Sequence, residues 1–202
     1  MIIKSFEINK INLNLNKFFL FYGKNDGLKN ELTKKIIKKN KISNYEEKEV
    51  LENKNNFIEN LLTKSLFEDQ KIIIIKRSTD KIFNIIEDLH AKKINDIIIV
   101  NSDNLDKKSK LRSFFEKDKN LVCIPFYPDN DQTMFQLAYN FLRSKNISIS
   151  TSNINLIINK CGGDRENLTN ELQKIEFFVK NGKKISTENI TKLINLNENH
   201  SI

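Results

Sequence analysis

The residues best placed to do chemistry are Gly23-Lys24-Asn25-Asp26-Gly27-Leu28-Lys29-Asn30. Glycines near a lysine, between an apolar run and a helical pattern, are the raw material of a phosphate-binding loop. In that loop, G-x-x-x-x-G-K-[ST], backbone N–H groups freed by glycine wrap the phosphates. The lysine meets their charge and the hydroxyl holds magnesium. Here Gly23 and Gly27 are one residue too close, Leu28 separates Gly27 from Lys29, and Asn30 stands where a hydroxyl is needed. Asp26 would repel phosphate. The acidic pair that would hold the metal ends a later apolar strand. The run 97–100 is instead followed by Asn101-Ser102-Asp103, so the first of those positions is uncharged. Gly23, Gly27 and Lys29 therefore mark a degenerate phosphate loop that is not expected to bind ATP.

Other catalytic constellations are missing. There is no G-x-S-x-G and no Cys–His pair. His90 and His200 have no Cys or His at ligand spacing, so no metal site and no cofactor is expected. Cys123 and Cys161 lie far apart in apolar surroundings and read as buried thiols of a reducing cytoplasm.

The elements that must position the loop read as α/β. Residues 17–22 form an almost wholly apolar run of strand length, and 28–39 carry apolar residues at helical spacing. The runs 71–76, 96–101 and 121–124 read as further buried strands, and 45–50 as a weaker one. Helical patterns occupy 55–64, 80–92 (with Asp80 as N-cap) and 105–117. Continuous apolar strands alternating with amphipathic helices predict a mainly parallel sheet covered on both faces. Residues 125–130 hold both prolines and mark the boundary. Beyond it the helical patterns 131–145, 150–160, 164–180 and 186–196 predict a small all-helical domain. The division expected is 1–128 and 129–202.

The chain of 202 residues has a formal net charge of +8. That permits a nucleic-acid partner. Lys, Asn and Ile share A/T-rich codons, however, so genome composition contributes to the bias. No apolar run is long enough for a membrane span. Lys107, Lys108, Lys110 and Arg112 cluster at a helix start, where they would face DNA phosphate, another protein or only solvent.

Four segments in order resemble the delta subunit of the bacterial DNA polymerase III clamp loader. They are Phe19-Leu20-Phe21-Tyr22-Gly23-Lys24-Asn25-Asp26, Ser65-Leu66-Phe67-Glu68-Asp69-Gln70-Lys71, Asn104-Leu105-Asp106-Lys107-Lys108-Ser109, and Gly163-Asp164-Arg165 running into Glu171-Leu172-Gln173-Lys174. The resemblance spans residues 1 to about 196. It implies an AAA+-like domain with a degenerate phosphate loop, a small helical lid domain, and a helical collar that would begin where this chain stops. It also implies a cytoplasmic subunit without catalysis of its own, working within the polymerase holoenzyme, a nucleotidyltransferase. Its partners would be the sliding clamp (beta), the gamma/tau ATPase and delta-prime subunits, and primed DNA. By the same resemblance Leu66 and Phe67 are the clamp-binding pair. The alternatives are a basic DNA-binding protein or a degenerate AAA+ adaptor of another complex.

Overall fold

The computed structural model describes residues 1–37, 41–63, 70–92 and 94–195. They fall into two compact units: Met1–Lys24 with Leu28–Tyr127, and Asn25–Gly27 with Pro128–Ile202. Among the described residues no helix is long and apolar enough to cross a membrane.

The first unit opens with a 3-10 turn, Ser5–Lys10. It continues as β1 (Phe18–Gly23), α1 (Asp26–Ile37), β2 (Lys41–Glu46), α2 (Glu47–Glu52), α3 (Lys54–Leu62), β3 (Lys71–Lys76), α4 (Phe83–Ala91), β4 (Ile97–Ser102), α5 (Lys110–Lys117) and β5 (Leu121–Phe126). All strand pairs are parallel, in the order β2-β3-β4-β1-β5. Side chains alternate across a strand. Phe19 and Phe21 therefore enter one core with Leu32 and Ile36 of α1, while Phe18, Leu20 and Tyr22 enter the other with Ile85, Ile86 and Leu111. Burial on both faces is why β1, β3 and β4 read as unbroken apolar runs. Fully burying each of the four isoleucines of β3 stabilises the unit by roughly 1.5–3 kcal/mol.

Three elements differ from the sequence reading. The extended stretch expected at 45–50 is the end of β2 followed by α2. β2 is an edge strand with polar, largely exposed residues, so it has no apolar run to reveal it. Glu46 and Glu49 form a reciprocal capping box that turns the chain helical, and Val50 is buried as a helix residue. Asp80 is not the N-cap expected of it: Thr79 caps the 3-10 turn Asp80–Ile82 that leads into α4. The helix expected from 105 begins only at Lys110, where Ser109 accepts from the Arg112 amide. Pro125 lies inside β5, which an edge strand tolerates.

The second unit contains α6 (Asp131–Ser144), α7 (Thr151–Cys161), α8 (Arg165–Lys180) and α9 (Thr187–Asn195). Met134, Ala138, Leu142, Ile157, Leu172, Ile175 and Ile190 share its core. Each helix starts at a local cap. Asn130 accepts from Thr133 N, Ser150 from Asn153 N, Asp164 from Glu166 N and Asn167 N, and Ser186 from Asn189 N. Gly162 ends α7 in the left-handed conformation at φ 57°.

Candidate functional site

The order of the sheet picks out one place for a ligand. From β1 the chain crosses to β2 at the far edge and works back through β3 and β4, while β5 lies on the other side of β1. In open α/β sheets ligands bind outside the carboxyl ends of the strands, where the order reverses. That place is the end of β1, between β4 and β5.

Only Lys24 and Asn25 separate Gly23 from α1, too short a link for backbone amides to wrap a chain of phosphates. Gly23 is needed for closeness. Its φ is 121°, its amide donates to Asp103 O at 3.1 Å, and an added Cβ would lie 2.2 Å from Phe126 O. The glycine therefore lets β5 close against the end of β1.

Lys29 is also turned inward. It is 3% exposed, and its Nζ donates to the Ser102 carbonyl at 2.8 Å, across the end of β4. An ammonium on the first turns of α1 thus neutralises a strand-end carbonyl. Gly27 belongs with the helical unit, where an added Cβ would lie 3.0 Å from Glu166 N and 3.1 Å from Arg165 Cβ. Asn25, in the same unit, donates to Asp129 Oδ2 at 2.9 Å, and that oxygen pairs with Arg165 Nε at 2.9 Å. The structure thus places Gly23, Gly27 and Lys29 in three different packing roles.

The neighbouring strand ends carry no carboxylate pair. β4 ends in Asn101 and Ser102, β3 in Lys76 followed by Arg77, and Asp103 is exposed. Asn101 Oδ1, Ser102 Oγ and Thr33 Oγ1 are buried without a hydrogen-bond partner. Among the described residues no three His, Cys, Asp or Glu side chains gather to hold a metal ion.

Beside this point, over the ends of β3 and β4, lies a cleft of about 360 Å³ lined by Arg77, Thr79, Asp80, Asn104, Lys108 and Ser109, among others. Arg77 holds φ 53°, unusual for a non-glycine residue. Asp80 accepts from Ser109 Oγ at 2.5 Å and from the amides of Leu111 and Lys110 at 3.1 and 3.2 Å. Burial by itself would raise its pKa. The bonds from Ser109, Leu111 and Lys110 outweigh burial and hold it below the ordinary carboxylate value. A carboxylate thus occupies the N-terminus of α5, where an anion would otherwise be welcome.

The basic cluster read from sequence divides. Arg112 is internal: Nε donates to Glu116 at 2.7 Å, Nη1 to Leu105 O at 3.0 Å, and the guanidinium lies 4.8 Å from the Tyr22 ring centre. Burial pushes the Tyr22 hydroxyl up to about 12. Lys107, Lys108 and Lys110 are exposed. Leu66 and Phe67 lie outside the described residues. On either side, α3 ends at Leu62, which is 44% exposed, and β3 begins at Lys71, whose amide donates to Asp96. Sequence reasoning missed the Lys29–Ser102 and Asp80–α5 contacts. The only local signal for the first is a lysine at the fourth position of a helix.

No protein-family model matches the chain, and no curated protein matches its sequence. Solved structures do share the fold. A Bacillus subtilis DNA clamp loader delta protein is similar at 15% identity and TM-score 0.57, over 94% of this chain and 62% of that one. Domain III of the Thermotoga maritima replication initiation protein DnaA is similar at 14% identity and TM-score 0.56, over 94% and 87%. A Thermotoga maritima RuvB variant is similar at 11% identity and TM-score 0.59, over 95% and 66%. The chain therefore spans less than two thirds of the length of the delta protein. The fold is AAA+-like: a parallel-sheet α/β domain followed by an all-helical region.

Proposed function

We propose that this chain is a clamp-loader subunit of the delta type. It docks on a ring-shaped sliding clamp and holds the ring open, so that the clamp can be placed on primed DNA. ATP is left to gamma/tau-type neighbours, with a delta-prime-type subunit completing the assembly. The observation that carries this reading is the closed end of β1. Its link is two residues long, Gly23 is packed against Phe126, and the Lys29 ammonium is engaged by Ser102. An AAA+-like fold arranged in this way favours a binding role over hydrolysis. The four sequence segments and the likeness to a delta protein direct the reading to the clamp.

Opening a ring requires tighter binding to its open form than to its closed one. Leu66 and Phe67 supply that in this proposal, as two large apolar side chains entering a pocket on the clamp. Burying each is worth roughly 1.5–3 kcal/mol, enough for a small hot spot. The double change Leu66→Ala/Phe67→Ala is expected to abolish co-purification with the clamp while the circular dichroism and melting of the chain stay unchanged. Clamp capture that survives the double change overturns the assignment. Calorimetric titration with Mg-ATP is expected to give no heat of binding, and micromolar affinity would reverse the reading of the β1 loop.

A further inference from the structure

We propose that a cleft at the carboxyl end of α6 receives a peptide segment of a partner protein in which an apolar side chain stands next to a carboxylate. The cleft belongs to the helical unit and holds about 360 Å³. Tyr139, Leu142, Arg143, Asn146, Ile147 and Ser148 line it, among others. It involves neither Leu66 nor Phe67, so it is a docking site separate from that of the clamp.

Arg143 carries the proposal. Lys and Arg together number 34, and only four of them are Arg. Three of the four hold a carboxylate of this chain. Arg77 pairs with Glu46 at 3.0 Å, Arg112 with Glu116 at 2.7 Å and Arg165 with Asp129 at 2.9 Å. The Arg143 guanidinium is exposed and makes no hydrogen bond or ion pair with the described residues. A guanidinium is a planar fork that matches a carboxylate with two parallel bonds, which an ammonium cannot do. The carboxylate that fits this fork comes from outside the chain.

The end of α6 does not itself use Arg143. The helix stops where Asn146 turns left-handed at φ 55°. The amides of Lys145, Asn146 and Ile147 return to the carbonyls of Phe141, Leu142 and Arg143, and Ser144 Oγ donates to Phe141 O. With these carbonyls satisfied, a cation nearby adds only a weak dipole interaction, which a lysine would supply equally well. The same turn carries Ile147 into the core with Leu142 and Ile154, and these three give the cleft an apolar floor.

Tyr139 lies one turn before Arg143, on the same face of α6. It is 44% exposed, and its ring stacks on Phe135 with centroids 6.3 Å apart and planes at 11°. The hydroxyls of Tyr139 and Ser148 and the side-chain amide of Asn146 have no hydrogen bond with the described residues. Among those residues no Asp or Glu lines the cleft. Free donors and one cation over an apolar floor complement an occupant with an apolar body and a negative charge. Tyr and Arg are the anchors of protein interfaces, whereas binding a phosphate backbone draws on several cations. One Arg beside an exposed Tyr therefore fits a peptide better than a nucleic-acid strand.

The test uses random peptides displayed on phage and selected on the immobilised full chain. Peptides with Asp or Glu next to Leu, Ile, Val or Phe are expected to be enriched. One enriched peptide, labelled, is then titrated by fluorescence anisotropy. Arg143→Ala is expected to weaken its binding by about tenfold or more. Arg143→Lys should recover only a minor part of that loss, because the charge returns without the fork. Tyr139→Ala should also weaken binding, whereas Lys183→Ala, which removes another exposed cation of the same unit, should leave it unchanged. Unchanged circular dichroism separates a lost contact from unfolding. The proposal is overturned if no such peptides are enriched, if Arg143→Ala binds like wild type, or if Arg143→Lys recovers fully. Single-stranded DNA displacing the peptide as well as unlabelled peptide does would also overturn it, by assigning the cleft to nucleic acid. Clamp capture by Arg143→Ala is expected to persist, so failure here and failure of the clamp assignment can be told apart.

Discussion

The helical unit starts its helices at local caps alone, whereas the α/β unit adds distant contacts to local caps such as Glu46 and Ser109. In the helical unit every start is set within three residues by Asn130, Ser150, Asp164 or Ser186. In the α/β unit the start of α5 depends on Asp80, 29 to 31 positions away in sequence, together with Ser109. The first turns of α1 are tied by Lys29 to Ser102, 73 positions away. Local caps let a unit be specified piece by piece. Distant caps tie the strand ends to one another, and this happens at the carboxyl end of the sheet, where open α/β folds bind their ligands.

The largest test of that contrast is a pair of glycines. Gly23→Ala puts a Cβ 2.2 Å from a backbone oxygen at φ 121°. It is expected to cost about 3 kcal/mol or more. Gly162→Ala has the same backbone handicap at φ 57° but open space around it, and is expected to cost about 1 kcal/mol. Denaturant melts with hydrogen exchange resolved to each unit measure both, and equal costs would break the comparison.

Next comes Lys29→Met, which keeps the stem and removes the ammonium from Ser102. A loss of about 2 kcal/mol is expected in the α/β unit alone, by chemical denaturation. Full stability in the variant would mean that the inward lysine is incidental to the closed β1 end.

Smaller effects are expected from the capping carboxylates. Asp80→Ala and Asp164→Ala should each cost about 1 kcal/mol. Protection is expected to fall in α5 for the first and in α8 for the second, as read by hydrogen exchange. The pH dependence sharpens this. Asp80 has a folded-state pKa below its unfolded value near 4. Its contribution is therefore fully present above about pH 4 and is lost as the pH falls through the lower folded value. The difference in stability between wild type and Asp80→Asn should shrink on going from pH 6 to pH 3. A constant difference would assign the effect to packing.

The smallest effect concerns the thiols, where the two units should behave alike. Burial pushes Cys123 up to about 12 and Cys161 up to about 11. Neither is expected to react with a disulfide reagent at pH 8 without unfolding. Fast labelling of Cys161 alone would show that the helical unit opens independently.

The sequence by itself determined the α/β class, the four buried apolar strands and the helical second unit. It also marked the start of the last helix at Ser186, and began the two helical patterns before it at Ser150 and Asp164, which the structure shows to be their caps. Each of these rests on periodicity or on a contact spanning a few residues, which a local pattern records. The departure of residues 23–30 from phosphate-loop spacing was legible for the same reason, since the spacing of Gly23, Gly27 and Lys29 is itself local. β2 escaped because an edge strand is not obliged to be apolar, and Glu46–Glu49 turns the chain immediately afterwards. Only the tertiary structure decided the strand order, which puts β1 between β4 and β5. It also sent Lys29 to Ser102, Arg112 to Glu116 and Leu105, and Asp80 to α5. A charged side chain takes whichever partner packing brings within reach of it, and for Lys29 and Asp80 that partner comes from a distant strand end or helix. Arg112 was set apart from the exposed Lys107, Lys108 and Lys110 in the same way, by what each side chain met once the sheet had closed.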